Sequence, residues 1–244
     1  MLHKTNGLVL RSIKYGDSSL ITTIFTDVYG IQTYIVQGVR SVKARQNRAG
    51  FFQPGMMLEL VVYMQPQKNM QRIREFQPAY IYTTVQESVV KNSIVLFSAE
   101  LLLRLLPEHA PMTMLFDFTF NYFKLLDTTT TEHVANLPLF FIIQCSRALG
   151  YELKGDYTTE TPYLNLQEGG FTDHAPAALP YTKDEDAIAL NTFLREEDYD
   201  QLKSIEMNAA MRFRLIEWYI AFLKQHTQHM GNIKSLQVLQ TILH

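Results

Sequence analysis

Up to about residue 80 the apolar positions come in short runs rich in Val, Ile, Thr and Tyr, separated by turn residues. The pattern predicts five strands, at 7–15, 19–26, 31–38, 56–64 and 70–77. The breaks between them are Tyr15-Gly16-Asp17-Ser18, Asp27-Val28-Tyr29-Gly30, the long stretch 38–55 and the turn 64–69. From Leu58 to Met64 the chain is apolar on both faces except at Glu59, as expected of a central barrel strand. No intervening helix is long enough for a parallel crossover, so the five strands predict a small closed antiparallel barrel. The OB-fold is the commonest five-stranded version, and oligonucleotides are its commonest ligand class.

Beyond residue 80 the apolar period becomes helical. Residues 85–106 carry Val89, Leu96, Leu101, Leu102, Leu105 and Leu106 before Pro107. Residues 112–126 follow, with Leu115, Phe116, Phe120 and Phe123, and then 132–149, which Gly150 ends. Three such helices in succession predict an antiparallel bundle. Thr182-Lys183-Asp184-Glu185 reads as a capping box opening a further helix toward Phe193, and helices at 207–226 and 235–243 complete the all-α part. The stretch 155–180 is non-helical; Tyr163-Leu164-Asn165-Leu166 and Gly170-Phe171-Thr172 flank Gln167-Glu168-Gly169 as a small hairpin. The fold expected is multidomain β + α. An OB-fold barrel spans 1–80, and an all-α helical bundle domain spans 81–244 with a hairpin insertion at about 155–180.

Composition changes this picture only once charge is located along the chain. The 244 residues hold 22 Lys+Arg against 24 Asp+Glu, a net charge of −2 that gives no sign of a nucleic-acid binder. Residues 1–80, however, carry ten bases against four acids, a balance of +6, and the remainder carries twelve against twenty, −8. The molecule expected is electrostatically polarised, with a basic barrel and an acidic helical part. The single cysteine excludes an intramolecular disulfide and a four-cysteine metal site; Cys145 falls inside a helical pattern and reads as a buried small hydrophobe. No cationic stretch leads into an apolar core at the N-terminus, and no apolar run reaches membrane-spanning length, so a soluble cytoplasmic protein is expected.

The candidate chemistry is cationic. Arg40, Lys43, Arg45 and Arg48 lie within nine residues without an acid, between the third and fourth strands, where flexible cations can neutralise phosphates. Arg72 and Arg74 alternate onto one strand face, which Lys14 is expected to join. Tyr34 is either a stacking surface for bases or half-buried packing. Phosphate-binding, nucleophile-elbow and dinucleotide motifs are all missing, so no catalytic residue is assigned. His226 and His229 read as a helix-terminal pair. The acidic runs 184–186 and 196–198 sit where helix N-termini are expected, so charge–dipole stabilisation accounts for them more simply than Mg²⁺ does.

Several short stretches together resemble the bacterial recombination-repair mediator family RecO. Gly7-Leu8-Val9-Leu10 followed by Tyr15-Gly16-Asp17-Ser18-Ser19-Leu20 is similar to that family's first hairpin. Phe25-Thr26 with Gly30 resembles its second strand and turn, and Gln37-Gly38-Val39-Arg40 resembles its step into the basic loop, with Gln for the usual Lys. Phe52-Gln53-Pro54-Gly55 resembles the entry to the fourth strand, and Leu149-Gly150-Tyr151 the end of a bundle helix. The order and spacing of these stretches carry the likeness. Many relatives hold a four-cysteine zinc knuckle after the Leu-Gly-Tyr. Here Gly169-Gly170 remain without a cysteine, and Asp156, Asp173 and His174 cannot form a thiolate tetrahedron, so a zinc-free hairpin and no metal or other cofactor are expected.

The resemblance implies a non-enzymatic, nucleoid-associated DNA-binding protein that contacts single- and double-stranded DNA and anneals complementary strands. It implies that the protein joins RecR, binds the acidic tail of single-strand-binding protein, and helps load RecA onto coated DNA, with no membrane partner. Such a tail needs a basic-rimmed apolar groove; Arg147 is one local cation of the acidic half, and Arg212 and Arg214 flanking Trp218 are the candidates, with a bundle-core role for the aromatics as the alternative. The competing functional readings are an adaptor whose OB domain binds a protein and a metal-dependent nuclease using the acidic runs.

Overall fold

The computed structural model describes residues 1–40, 48–65, 67–176, 182–227 and 230–243. Strands β1 (Leu2–Tyr15), β2 (Ser19–Thr26), β3 (Gly30–Val36), β4 (Met57–Tyr63) and β5 (Met70–Pro78) close into a barrel in the order β1-β2-β3-β5-β4. Every neighbouring pair is antiparallel except β3 and β5. An odd number of strands cannot alternate direction all the way round a closed ring, so the expected all-antiparallel barrel is corrected by one parallel pair. Alternation sends Val9, Leu20, Ile24, Tyr34, Leu58, Leu60, Val62 and Ile73 into one core. β1 begins at Leu2, five residues before its apolar pattern does, because Lys4 and Asn6 face outward while buried Thr5 pairs with inward Leu60.

Helices α1 (Val89–Leu105) and α2 (Thr113–Thr128) pack with the barrel in one compact unit, 1–128, and residues 129–244 form a second. The residue 80 boundary therefore separates strand from helix, whereas packing groups the first two helices with the strands. Over residues 1–128 the charge is thirteen bases against nine acids, or +4, and over 129–244 it is −6. Close approach depends on two glycines. A Cβ on Gly55 (φ +86°) would lie 2.1 Å from Val95 Cγ1 of α1, and one on Gly30 (φ +64°) would lie 2.1 Å from the Ala110 carbonyl oxygen. Phe25 and Phe116 meet edge to face at 5.4 Å across the same contact.

The joint between strand and helix is organised by Asp127, fully buried near the end of α2. Its carboxylate accepts from the amides of Thr83 (2.9 Å), Thr84 (2.8 Å) and Val85 (3.0 Å) and from the Tyr80 hydroxyl (2.9 Å). Its backbone carbonyl accepts from buried Lys91 Nζ at 2.7 Å. Burial alone would raise the Asp127 pKa, but these donors outweigh it and hold the carboxyl well below the usual range. Burial lowers the Lys91 pKa, against an opposing pull from Asp127. Because the 83–85 amides turn toward Asp127, α1 starts at Val89 instead of residue 85, capped by Ser88 Oγ accepting from Lys91 N at 3.3 Å.

The second unit holds α3 (Leu137–Ala148), hairpin β6 (Tyr163–Asn165) and β7 (Gly170–Thr172), α4 (Asp184–Arg195), the short α5 (Tyr199–Leu202), α6 (Ala209–His226) and α7 (Ser235–Ile242). Helix α3 starts five residues later than its period suggests, with Pro138 in its first turn, where the missing amide costs nothing. It ends as a Schellman motif, with Tyr151 N bonded to the Ser146 carbonyl at 2.9 Å and Gly150 N to that of Arg147 at 3.0 Å. The capping box at Thr182 does not form. Thr182 is bridged through its backbone to Leu164 (2.8 and 3.3 Å), and Lys183 occupies the N-cap without a side-chain bond. Among the described residues no helix is long and apolar enough to cross a membrane.

Replacing Asp127 by Asn removes the charge on which these amide and hydroxyl donors converge and is expected to cost about 3 kcal/mol in urea unfolding followed by circular dichroism. The native carboxyl is depressed, so its stabilisation is fully present above the unfolded value of about 3.9 and is lost as pH falls toward the native value. The wild type should therefore lose stability below about pH 4 more steeply than Asp127→Asn.

Candidate nucleic-acid interface

Among the described residues, the cations expected to contact phosphate fall into three groups. Exposed Lys14 lies on the β1–β2 hairpin opposite Leu20. Half-buried Arg40 is fixed against the same turn, its Nη1 donating to the Gly16 carbonyl at 3.1 Å and its amide to that of Ser18 at 3.0 Å. Both bonds go to backbone carbonyls. Lys43 and Arg45 lie outside the described residues.

Arg48 opens a 3₁₀ turn, Arg48–Phe52, and its guanidinium sits 4.3 Å from the Phe76 ring centre. With Lys4 and Arg74 it lines a hollow of 760 Å³ on the outer side of β1, β4 and β5. Asp27, Glu59 and Glu75 line the same hollow. Arg74 Nε meets Glu75 at 3.1 Å, Glu59 accepts from Gln77 at 2.6 Å, and Asp27 accepts from the Asn6 amide at 3.1 Å and from its side chain at 3.0 Å. Among the described residues, three cations and three carboxylates line this hollow.

Arg72 belongs to a different place. Arg72 and Arg74 point outward by plain alternation about inward Ile73, and a bulge at Arg74, opposite Val61 and Val62, lets Glu75 face outward too. Arg72 nevertheless lines a separate hollow of 340 Å³, with Ile35, Tyr63, Lys68 and Met70 and no carboxylate. The pattern of the sequence concealed Lys4, Lys68 and Tyr63. Lys4 sits in an apparently polar leader, Lys68 in a turn, and Tyr63 in a run that reads as buried on both faces but alternates outward.

For Tyr34 packing is the reading that holds, and the stacking alternative is corrected. Tyr34 is fully buried in the barrel core opposite Thr22, so it cannot stack on a base, and burial raises its hydroxyl pKa. The rim expected around Trp218 is corrected as well. Helix α6 leaves only a narrow solvent stripe that includes Arg214, Glu217 and Lys224, and Trp218 lies inside, stacked on Phe222 with ring centres 6.1 Å apart. Arg212 is buried, with Nε donating to Asn136 Oδ1 at 3.0 Å and Nη2 to the Met207 carbonyl at 2.8 Å, and burial lowers its pKa. Arg214 is exposed and bidentate with Asp186 at 2.7 Å. Arg147 is committed to the Leu194 carbonyl and to Glu152 at 3.1 Å.

The carboxylates of the acidic runs are similarly engaged. Asp186 holds Arg214, Glu197 lies 4.0 Å from Arg147, and Asp198 caps α5 by accepting from Asp200 N at 3.0 Å. His226 Nε2 meets the Leu166 carbonyl at 3.0 Å, tying α6 to the hairpin, while His229 lies outside the described residues. At the hairpin the donors do not fit zinc. Asp156 pairs with Arg195 at 3.1 Å, Asp173 pairs with His174 at 2.7 Å, and the described residues contain no group of three placed to hold a metal. The hairpin is instead tied to residue 154 by Lys154 N to the Gly169 carbonyl at 2.8 Å and Phe171 N to the Lys154 carbonyl at 2.9 Å.

A closed five-stranded OB barrel with exposed outer cations, followed by a helical region with a small hairpin, defines a two-part protein of the OB-plus-helix class. Residues 1–82 match the family model Recombination protein O N terminal, and residues 86–237 match Recombination protein O C terminal. The chain is 30% identical over 243 residues to the DNA repair protein RecO of Phocaeicola vulgatus and 27% identical over 242 residues to that of Christiangramia forsetii, covering 99% of each chain in both cases. The Bacteroides fragilis protein of the same name is 29% identical over 243 residues, again with 99% coverage of each chain. The chain belongs to the RecO family of DNA repair proteins.

Arg212→Ala is expected to lower stability by about 2 kcal/mol, because buried Asn136 Oδ1 and the Met207 carbonyl lose their donor. Arg214→Ala breaks only an exposed pair and should cost under about 1 kcal/mol. Equal effects in chemical denaturation would contradict these placements.

Proposed function

We propose that this protein is a non-enzymatic DNA-binding recombination mediator. It binds single- and double-stranded DNA, anneals complementary strands, and with RecR helps load RecA onto DNA coated by single-strand-binding protein. Membership of the RecO family across both halves of the chain carries this reading. The charge distribution supports it: cations on the strand-built part lower the repulsion between two backbones brought side by side. In this reading residues 1–80 are the DNA-binding domain. Lys14, Arg40, Lys43, Arg45 and Arg48 form the main phosphate-contacting set, and Arg72 and Arg74 extend it along β5.

Within residues 81–244, Arg212, Arg214 and Trp218 are the candidates for the acidic tail of single-strand-binding protein. Of the three residues considered for the tail, Arg214 is the one whose charge reaches solvent. Catalysis is not part of the reading, since carboxylates of both acidic runs already serve ion pairs and a helix cap. The protein acts at the nucleoid, in the cytoplasm.

The test is binding of labelled single strands and duplexes across a salt series. Reversing Arg40, Lys43, Arg45 and Arg48 to Glu should weaken binding by about tenfold or more and reduce the slope of log affinity against log salt by roughly 3. Unchanged affinity in a folded quadruple variant would remove the DNA-site assignment.

A further inference from the structure

Outward-facing residues form one continuous row round the barrel. Ile13 faces Ile21, Ile21 faces Ile35, Ile35 faces Arg72, Arg72 faces Tyr63, and Tyr63 faces Leu2. Ile13, Tyr63 and Leu2 are exposed at 46%, 38% and 41%, so apolar surface continues on both sides of a cation. Where this row crosses β3, β5 and β4 it runs into the 340 Å³ hollow. The hollow offers an aromatic ring, two aliphatic side chains (Ile35 and Met70) and two cations (Lys68 and Arg72), with no carboxylate to compete for them. The larger hollow differs in having an acid for every base.

The backbone at Lys68 is also held by a side chain of β5. Gln71 is buried at 4% exposure, and its side-chain amide donates to the Gln65 carbonyl at 3.0 Å and to the Lys68 carbonyl at 2.6 Å. Its oxygen accepts from Gln65 N at 2.8 Å. One inward-facing glutamine thus ties Gln65 and Lys68 to the strand that carries Arg72. In OB barrels the β4–β5 loop and the neighbouring strand surface are a general place for ligands.

A ring face with an apolar floor suits a planar base, and two cations without an acid suit its phosphate. A duplex keeps its bases stacked on one another and presents chiefly its backbone, so it would engage the cations and leave the ring unused. We propose that this hollow takes an unpaired nucleotide, with its base against Tyr63 and its phosphate between Lys68 and Arg72. Tyr63 is then the residue that separates single-stranded from double-stranded binding. The proposal rests on the DNA-binding reading above and adds a site with a selectivity of its own.

The test uses the full chain, fluorescence anisotropy, a labelled thymidine strand and a duplex of equal length. Tyr63→Ala should weaken single-strand binding about tenfold and leave duplex binding within about twofold, while Tyr63→Phe retains both. A Lys68→Glu, Arg72→Glu variant should weaken the single strand and lower its salt slope by about 1 to 2. Photocrosslinking of the wild type to a strand carrying 5-iodouracil should label the peptide containing Tyr63, a measurement that does not depend on any variant folding. If the wild type binds neither DNA form, the functional reading fails and this proposal fails with it. If it binds both, the proposal alone is overturned by equal losses on strand and duplex in Tyr63→Ala, by no loss at all, or by crosslinks confined to other peptides. An acidic peptide that binds the wild type and is lost in Tyr63→Ala, with single-strand affinity unchanged, would assign the hollow to a protein partner and overturn it as well.

Discussion

The carboxylate of Asp127 is the constraint on which the first unit depends. It takes the free amides of three consecutive residues just past the last barrel strand and a tyrosine hydroxyl from the same segment. Those amides cannot join a sheet or a helix, so without an acceptor they would be costly to bury. With one, the chain turns sharply out of β5 and into α1, and α2 is tied to the same point. Gly55 and Gly30 permit the approach that results, since any side chain at either position would collide with the helical layer. The barrel's outer side therefore has a covered region, where Phe25 meets Phe116, and an open region, where Ile13, Ile21 and Ile35 reach the surface.

That division decides where a ligand has access. Among the described residues, the cations of the barrel stand in different local settings. Arg40 and Lys14 stand at a hairpin, Arg48 and Arg74 share a hollow with three acids, and Arg72 stands with Lys68 and Tyr63. Charge counted along the chain overstates how many of these positions act as uncompensated cations, because Arg74 already faces Glu75. Among the described residues, the smaller hollow has cations and no carboxylate in its lining, whereas the larger one has both.

In the helical unit, residues that look functional in sequence are structural, for identifiable reasons. Arg212 and Trp218 lie on the wide buried face of α6, which leaves only a narrow stripe to solvent. Asp186 and Asp198, which resemble parts of metal-binding runs, are a partner for Arg214 and a helix cap. Thr182 has a capping-box sequence but spends its backbone on Leu164. In each case a local pattern is legible, and a contact with a residue far along the chain overrides it.

The sequence by itself determined the five strands, the change to helices near residue 80, the hairpin around Gly169-Gly170, the excess of positive charge on the strand-built part and the family. These follow from periodicity, turn residues and counting, which act over short spans and survive without tertiary context. The tertiary structure alone decided that one strand pair is parallel, that Tyr34 points inward and Tyr63 outward, and that Arg72 and Arg74 line different hollows. Ring closure and the register of strands distant in sequence set these outcomes. A shift of one residue in that register would exchange every inward side chain for an outward one.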